Sequence, residues 1–447
     1  MPFSPNTITI ANNTCNSNGE GGVYLDSSSY NYLTGNTLSN NDYFGIDFYR
    51  SSNTTITGNT LSNNGYGVNL YASSNTTITG NTLSNNSYGI YLYSFSNTIR
   101  GNTMVDGGIS IWGESIGHWN THIIDDSNEV NGKPLYYWKD MTGGTVPLGA
   151  GQIILANCTN VTIRDQDIRG VNLAIELGFT SNTFIVNNTA SDNYFHGFYL
   201  QFSSNNTITN NTALDNRYGF RLYFSSSNTI TGNTALYNQQ GIRLESSSNN
   251  TIYHNNIIKC PACQAYDDSI NQWDNGYPSG GNYWSDYAGV DANGDGIGDT
   301  PYNITGGSNL DRYPLVRAWD FIPPNADAGS DQTIGQGVTV IFNGSNSVDN
   351  IWIASYVWRF TYDGKEWDLF GVAPQFTFNI PGTYIVTLTV TDAAGYSDTD
   401  TVTIEVTAEE EDEKIADSPY FWTIATFLLL VAFQKRRKSR KANISRS

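Results

Sequence analysis

Residues 53–64, Asn-Thr-Thr-Ile-Thr-Gly-Asn-Thr-Leu-Ser-Asn-Asn, return unchanged as residues 75–86. They belong to a series that fills the first two-thirds of a 447-residue chain. An apolar anchor four residues before the repeated Thr falls at Ile10, Leu33, Ile56, Ile78 and Ile99, and again at Ile163, Ile185, Ile208, Ile230 and Ile252. The steps are 23, 23, 22 and 21, then 22, 23, 22 and 22. A fixed period of this length means a solenoid. One unit is too short and too polar to bury a face alone, so each must stack on its neighbours. A disordered chain would not hold Ile, Gly and Asn in register.

The unit has no helical run and too few Leu for a leucine-rich repeat. It reads as short strands, Thr55–Thr57, Thr60–Ser62 and Val68–Tyr71, split by Gly, Asn and Ser. Val68 and Leu70 alternate with polar neighbours, the period of a strand with one buried face. Three strands and three corners per turn predict an all-β, right-handed parallel β-helix. Asn36, Asn59, Asn81, Asn102, Asn188, Asn211 and Asn233 share one register, where stacked amides bond from rung to rung. Gly22, Gly45, Gly67, Gly89, Gly197, Gly219 and Gly241 share another, at a corner needing either a positive φ or close packing.

The balance of 22 Lys+Arg against 41 Asp+Glu gives a net charge of −19. Residues 435–447 hold seven of the basic residues and no acid, so the rest of the chain carries 15 − 41 = −26. Such a surface repels nucleic acid and suits neutral glycans or divalent cations. Near the C-terminus, Tyr420–Phe433 is apolar apart from two Thr, and the basic run Lys435–Lys441 follows. The positive-inside rule puts that tail in the cytoplasm and the preceding chain outside. Residues 419–434 are expected to be a membrane-anchor helix, about 21 Å long against a core of about 30 Å, or a sorting segment. A soluble core helix is the third reading. Residues 408–418, with Glu409–Glu413, read as a solvated acidic spacer. Because Met1 runs straight into the repeat, a longer precursor with a cleavable leader is expected for an exported protein.

Cys15, Cys158, Cys260 and Cys263 are the cysteines. Cys260-Pro-Ala-Cys263 lacks the second pair that a structural zinc site needs; in an extracellular domain a local disulfide is expected, ahead of redox chemistry. Between Ile99 and Ile163 the rhythm breaks. Residues 120–128 read as a degenerate rung, and about 129–155 as an insertion, the kind of departure that often falls on a functional face. His122, Asp125, Asp126, Lys133, Asp165 and Asp167 are the candidates for chemistry there, against a reading as ordinary solvated turns. Farther on, Asp291-Ala-Asn-Gly-Asp-Gly-Ile-Gly-Asp299 places oxygen donors at loop positions 1, 3, 5 and 9, with Gly296 at position 6. It resembles the first part of an EF-hand loop, although Tyr302 stands where the bidentate Glu belongs. Asp291, Asn293, Asp295, Asp299 and the Ile297 carbonyl are the expected Ca²⁺ ligands, against a plain turn cluster.

Together with the repeats, Asn131-Gly-Lys-Pro-Leu-Tyr-Tyr-Trp138, Gly281-Asn-Tyr-Trp-Ser-Asp-Tyr287 and Asp295-Gly-Ile-Gly-Asp-Thr-Pro-Tyr302 resemble the NosD-type, CASH-related β-helix proteins common in archaeal surface proteomes. The resemblance covers residues 1–317, with 274–305 as a capping segment. It implies carbohydrate-binding or sugar-hydrolase relatives, and a periplasmic copper-maturation role for the family's namesake. Copper favours Met, Cys and His ligands, and three Met and four His with no cluster make it a poor expectation here. Residues 324–407 change to short alternating runs separated by turns, a β-sandwich pattern. Asn325–Asp331, Tyr356-Val-Trp358, Pro381-Gly-Thr-Tyr384 and Leu388-Thr-Val-Thr-Asp392 resemble a PKD domain, an Ig-like spacer or adhesion module. Thr361-Tyr-Asp-Gly364 departs from that family's usual Gly-Asp-Gly.

Three functions fit: a membrane-anchored surface protein binding glycan or another surface polymer, a polysaccharide hydrolase or lyase, or a structural envelope component. A glycosidase needs two facing acids. The outward column Tyr24, Asp47, Asn69, Tyr91 and Ser110 supplies no such pair. The second outward column reads Tyr49, Tyr71, Tyr93 and Trp112, with Tyr91 beside it. Rungs lie about 4.8 Å apart, so these rings are expected to form a stripe along the solenoid axis. It either binds an extended polysaccharide or simply stabilises the sheet.

Overall fold

The computed structural model describes residues 7–320 and 322–408, which form two compact units dividing near residue 321. The expected anchor segment, its acidic spacer beyond residue 408 and the basic tail lie outside the described residues. Among the described residues, no helix is long and apolar enough to cross a membrane.

The first unit is a parallel β-solenoid. Its anchors pair across rungs as read from the period: Ile10 with Leu33, Leu33 with Ile56, Ile56 with Ile78, and Ile78 with Ile99. Each such Ile or Leu from Leu33 onward is fully buried, contributing roughly 1.5–3 kcal/mol. The expected Asn ladder is present. Asn36 Nδ2 donates to Asn59 Oδ1, Asn59 to Asn81 and Asn81 to Asn102, each at 2.9 Å. Two further ladders stand at other corners, through Asn41, Asn64 and Asn86, and through Asn206, Asn228 and Asn250. The corner glycines prove to be a matter of space rather than of φ. A Cβ on Gly67 would sit 2.6 Å from the Gly89 carbonyl oxygen and 2.7 Å from Leu83 Cδ2.

The three faces do not run unbroken from end to end. In the first half the long strands Gly21–Asp26, Phe44–Tyr49, Tyr66–Tyr71, Tyr88–Tyr93 and Ile109–Ile111 form one five-stranded sheet, which stops there. The Thr-Leu-Ser face continues instead. It passes through Glu129–Val130, turns antiparallel into Lys133–Lys139, and becomes the long-strand sheet of the second half. That sheet runs on through Gln152–Ala156, Leu173–Gly178, His196–Gln201, Tyr218–Tyr223, Gln240–Glu245 and Cys263–Asp267. The solenoid thus shifts by one face at its middle. A short helix, Ile116–Asn120, lies in the connection, and buried Trp119 packs where a Cβ on Gly178 would collide with its ring.

The expected Cys260–Cys263 disulfide does not form; both thiols are free. Cys260 turns inward in the register that Asn216 and Asn238 occupy on earlier rungs. Its thiol sits 3.5 Å from the Ile258 carbonyl, whereas the Cys263 thiol meets the Ala265 carbonyl at 2.9 Å.

The second unit pairs a five-stranded sheet with a two-stranded one, Val338–Ile341 against Gln375–Phe378. Trp358, Phe378, Val386, Leu388 and Ile404 fill the core between them. The sandwich expected from the alternating runs is the fold found.

Candidate functional site

The mid-solenoid shift leaves Ile109–Ile111 without a further strand on one side. Side chains from the second half take that place. Gln152 accepts from the Ile109 N–H at 2.9 Å and donates to the Ile109 carbonyl at 2.6 Å. Glu176 Oε1 and Oε2 each lie 3.4 Å from the Ile111 nitrogen, and Asn172 donates to Ser110 Oγ at 2.5 Å. Glu176 is fully buried at this seam. Burial pushes its carboxyl well above the usual range, with the Ile111 N–H pulling the other way.

Beside the seam opens a cavity of about 300 Å³, lined by aromatic rings from both halves together with His196, Arg217 and Arg221. Phe44, Tyr66, Tyr88 and Phe195 stack along the axis with centroids 5.2, 4.7 and 4.5 Å apart. This wall crosses from one half of the solenoid to the other. At its other end Phe44 borders a second concavity of about 430 Å³, with Tyr24, Tyr43, Glu20 and Asp47. The outward column Tyr24, Asp47, Asn69 and Tyr91 keeps the register read from the sequence and forms the floor beside the wall. Burial raises the Asp47 carboxyl, against the hydrogen bond from Asn69 at 2.7 Å.

On the far side of the floor stands the expected tyrosine stripe. Tyr49, Tyr71 and Tyr93 stack at 5.4 and 4.9 Å with interplanar angles of 16° and 10°. At this spacing the rings spend their faces on one another, so each presents its edge and hydroxyl outward. The fourth member is not Trp112. His118 takes that place, 4.9 Å from Tyr93. Trp112 packs on Tyr199 and Tyr223 and lines the smaller cavity together with Tyr91. The strand ends at Ile111, and the chain departs toward the helix.

The six residues singled out around the irregular segment do not converge on this cavity. His122 is buried, its ring nitrogens taken by the Asn97 N–H and the His118 carbonyl, and burial lowers its pKa to about 4. Asp125 pairs with Arg100, Asp165 with Arg164, and Asp167 with Arg169, all on the surface. Asp126 is exposed, and Lys133 donates to the Asp167 carbonyl. The Ca²⁺ reading of the 291–299 loop is not supported. Asp291 accepts from the Gly294, Asp295 and Gly296 N–H groups, Asp295 from Ile297 and Asp299 from Ala292. The carboxylates cap the loop's own backbone.

The residues that sequence reasoning missed lie in the second half. Arg221 is paired with Glu245 at 2.7 Å, and Glu245 also holds Arg243 at 2.9 Å. Burial works to raise the Glu245 carboxyl, but the two guanidiniums outweigh it and hold the group below its ordinary value. Arg217 lies over the rings of Phe195 and Tyr218, at 5.7 and 5.5 Å. His196 is almost fully buried; burial, then Arg221 and Arg217, push its pKa well down. A signal existed in the outward registers Glu176, Tyr199, Arg221, Arg243 and His196, Tyr218, Gln240.

Comparison with known families matches residues 3–104 to "Right handed beta helix region", 139–289 to "Periplasmic copper-binding protein (NosD)", and 322–407 to "PKD domain". No curated protein matches the chain. Among solved structures, one described by the promiscuous specificity of carbohydrate-binding modules of the β-sandwich superfamily shares 38% identity over 21% of this chain, with a TM-score of 0.18. This chain spans only 37% of that one. A mutant of a periplasmic alginate epimerase shares 16% identity, with 60% of this chain and 67% of that one covered and a TM-score of 0.27. PfbA, a surface adhesin of Streptococcus pneumoniae, shares 11%, with 59% and 82% covered and a TM-score of 0.27. With TM-scores this low, these likenesses do not bear on what the chain does.

The copper in the NosD description calls for grouped His, Cys or Met, and the described residues do not fit it. His122 is engaged at both ring nitrogens, and His196 Nε2 at Arg221. His254 is bonded to the Ser279 carbonyl and stacked on Trp319. Met104 is in the core, and Met141 lies apart on the surface.

Proposed function

We propose that this right-handed β-helix protein of the extracellular or periplasmic type, with NosD-type turns and a PKD domain, holds an extended polysaccharide along its first-half long-strand sheet. The polymer lies on the floor column Tyr24, Asp47, Asn69 and Tyr91, parallel to the solenoid axis, between the two aromatic stacks. The observation that carries this reading is the run of two concavities in line along the Phe44–Tyr66–Tyr88 wall. Rungs repeat about every 4.8 Å, so hydroxyls and amides recur at a spacing that suits a linear chain of sugar rings. The PKD unit serves as a spacer or adhesion module, and residues 419–434 hold the protein at the membrane.

Binding is favoured over hydrolysis because the smaller cavity has no carboxylate in its lining, and of the two acids at the larger concavity, Glu20 and Asp47, Asp47 is tied to the Asn69 amide at 2.7 Å, whereas cleavage of a glycosidic bond needs two acids free to act. Tyr24 and Tyr43 are 60% and 58% exposed, so Tyr24→Ala with Tyr43→Ala should leave the melting temperature unchanged. Retention on a panel of immobilised polysaccharides should fall at least tenfold. Tyr71→Ala with Tyr93→Ala should lower both retention and stability, the latter by roughly 0.5–1.5 kcal/mol for each stacked pair lost. Wild-type protein that retains no polymer of the panel, or a Tyr24/Tyr43 variant that binds as the wild type does, would refute the reading.

A further inference from the structure

The cavity at the seam is equipped with donors. Arg217 makes no ion pair with any described residue; its guanidinium is held by the rings of Phe195 and Tyr218 instead. Its charge is therefore oriented but not neutralised. The next two arginines share one carboxylate, since Glu245 binds both Arg221 and Arg243. The neighbourhood carries excess positive charge in a chain whose net charge is −19.

His196 adds a donor of fixed orientation. Arg221 Nη1 lies 3.2 Å from His196 Nε2. A guanidinium can only donate, so Nε2 must be the accepting nitrogen. In the neutral imidazole the proton is then on Nδ1. That Nδ1 is buried and has no hydrogen-bond partner in the protein, although His196 itself lines the cavity. A buried donor left unmatched costs about 1–3 kcal/mol. With Nδ1 already protonated, His196 gives a hydrogen bond there and does not take a proton, once a small shift of the ring or its neighbours opens that buried atom to the cavity.

We propose that this cavity is an anion subsite at the end of the polysaccharide groove, where Arg217 and His196 receive a carboxylate or sulfate borne by the glycan. The inference rests on the polysaccharide reading above and narrows it to acidic polymers. An anionic group supplies the charged acceptor that the cavity lacks, and Arg217 contributes a charge-assisted hydrogen bond. The Phe44–Tyr66–Tyr88–Phe195 wall leads from the larger concavity, where Glu20 and Asp47 disfavour an anion, to the cavity, so a polymer spanning both places its acidic group at the seam end.

The test uses the full chain and three immobilised polymers of similar length: a polyuronate, a sulfated glycan and a neutral glycan. Wild type should retain at least one acidic polymer more tightly than the neutral one, and whichever it prefers identifies carboxylate or sulfate as the ligand. Arg217→Gln should weaken that retention roughly tenfold or more, as expected for loss of a charged hydrogen bond. It should lower neutral-glycan retention far less than acidic retention and leave the melting temperature nearly unchanged, because Arg217 is exposed and makes no ion pair with any described residue. Arg217→Lys should recover part of the loss. Retention of neutral glycan with no acidic preference would overturn the anion subsite and leave the polysaccharide reading intact. Acidic retention that Arg217→Gln does not alter would also overturn it. Absence of all retention would sink both.

Discussion

At the scale of single residues, a repeat states its rules twice. Asn81 was legible because Asn59 and Asn102 stand one period away on either side. In the structure its side-chain Oδ1 accepts from both the backbone N–H and the side-chain amide of Asn59, each at 2.9 Å. Its own amide gives one bond to Asn102 Oδ1 and another to the Ile56 carbonyl. Asn81→Ala should orphan several of these buried groups at about 1–3 kcal/mol each. Thr60→Ala, exposed in the neighbouring rung, should stay within about 0.5 kcal/mol. Urea midpoints of the two variants measure the difference. His196, Arg217 and Glu176 escaped for the converse reason. Each differs from the residues above and below it, and searching for periodicity discards what does not recur. Functional side chains in a solenoid are the exceptions to its period, so they are best sought as polar or charged intruders in an outward column.

At the scale of elements, alternation in the Tyr66–Tyr71 strand correctly put Val68 and Leu70 inside and Asn69 and Tyr71 outside. The shift of faces was not legible. It depends on the course of residues 112–151, where no neighbouring copy exists to fix a register. That is also why the sequence register puts Trp112 on the wrong side: it extends the pairing of Ile111 with Leu92 by one residue, but the strand ends at Ile111. The 291–299 loop teaches a related lesson. Carboxylates spaced for a cation are equally well spaced to cap N–H groups, and here they do so. Accordingly, excess chelator should leave the melting temperature unchanged in a thermal scan. A fall of several degrees, restored by Ca²⁺, would show instead that the loop takes up the ion.

At the scale of the whole molecule, the two units have separate cores. Residues 322–408, expressed alone, should therefore melt cooperatively in a calorimeter. A broad transition without a heat-capacity step would show that this core is insufficient by itself. The composition change near Pro323-Pro324 made that division visible in the sequence. The shift of faces within the solenoid has a consequence for how such a protein varies. Rungs on either side of Ile109–Ile111 pair only with their immediate neighbours, whereas the seam is closed by Gln152, Asn172 and Glu176. Duplication or loss of a whole 23-residue unit between Ile10 and Ile56 would lengthen or shorten the tyrosine-lined trough by one strand spacing, about 4.8 Å. It would leave the arginine-bearing pocket untouched. Reach and chemical preference are thus separately adjustable, one by counting copies and the other by point substitution at a single splice.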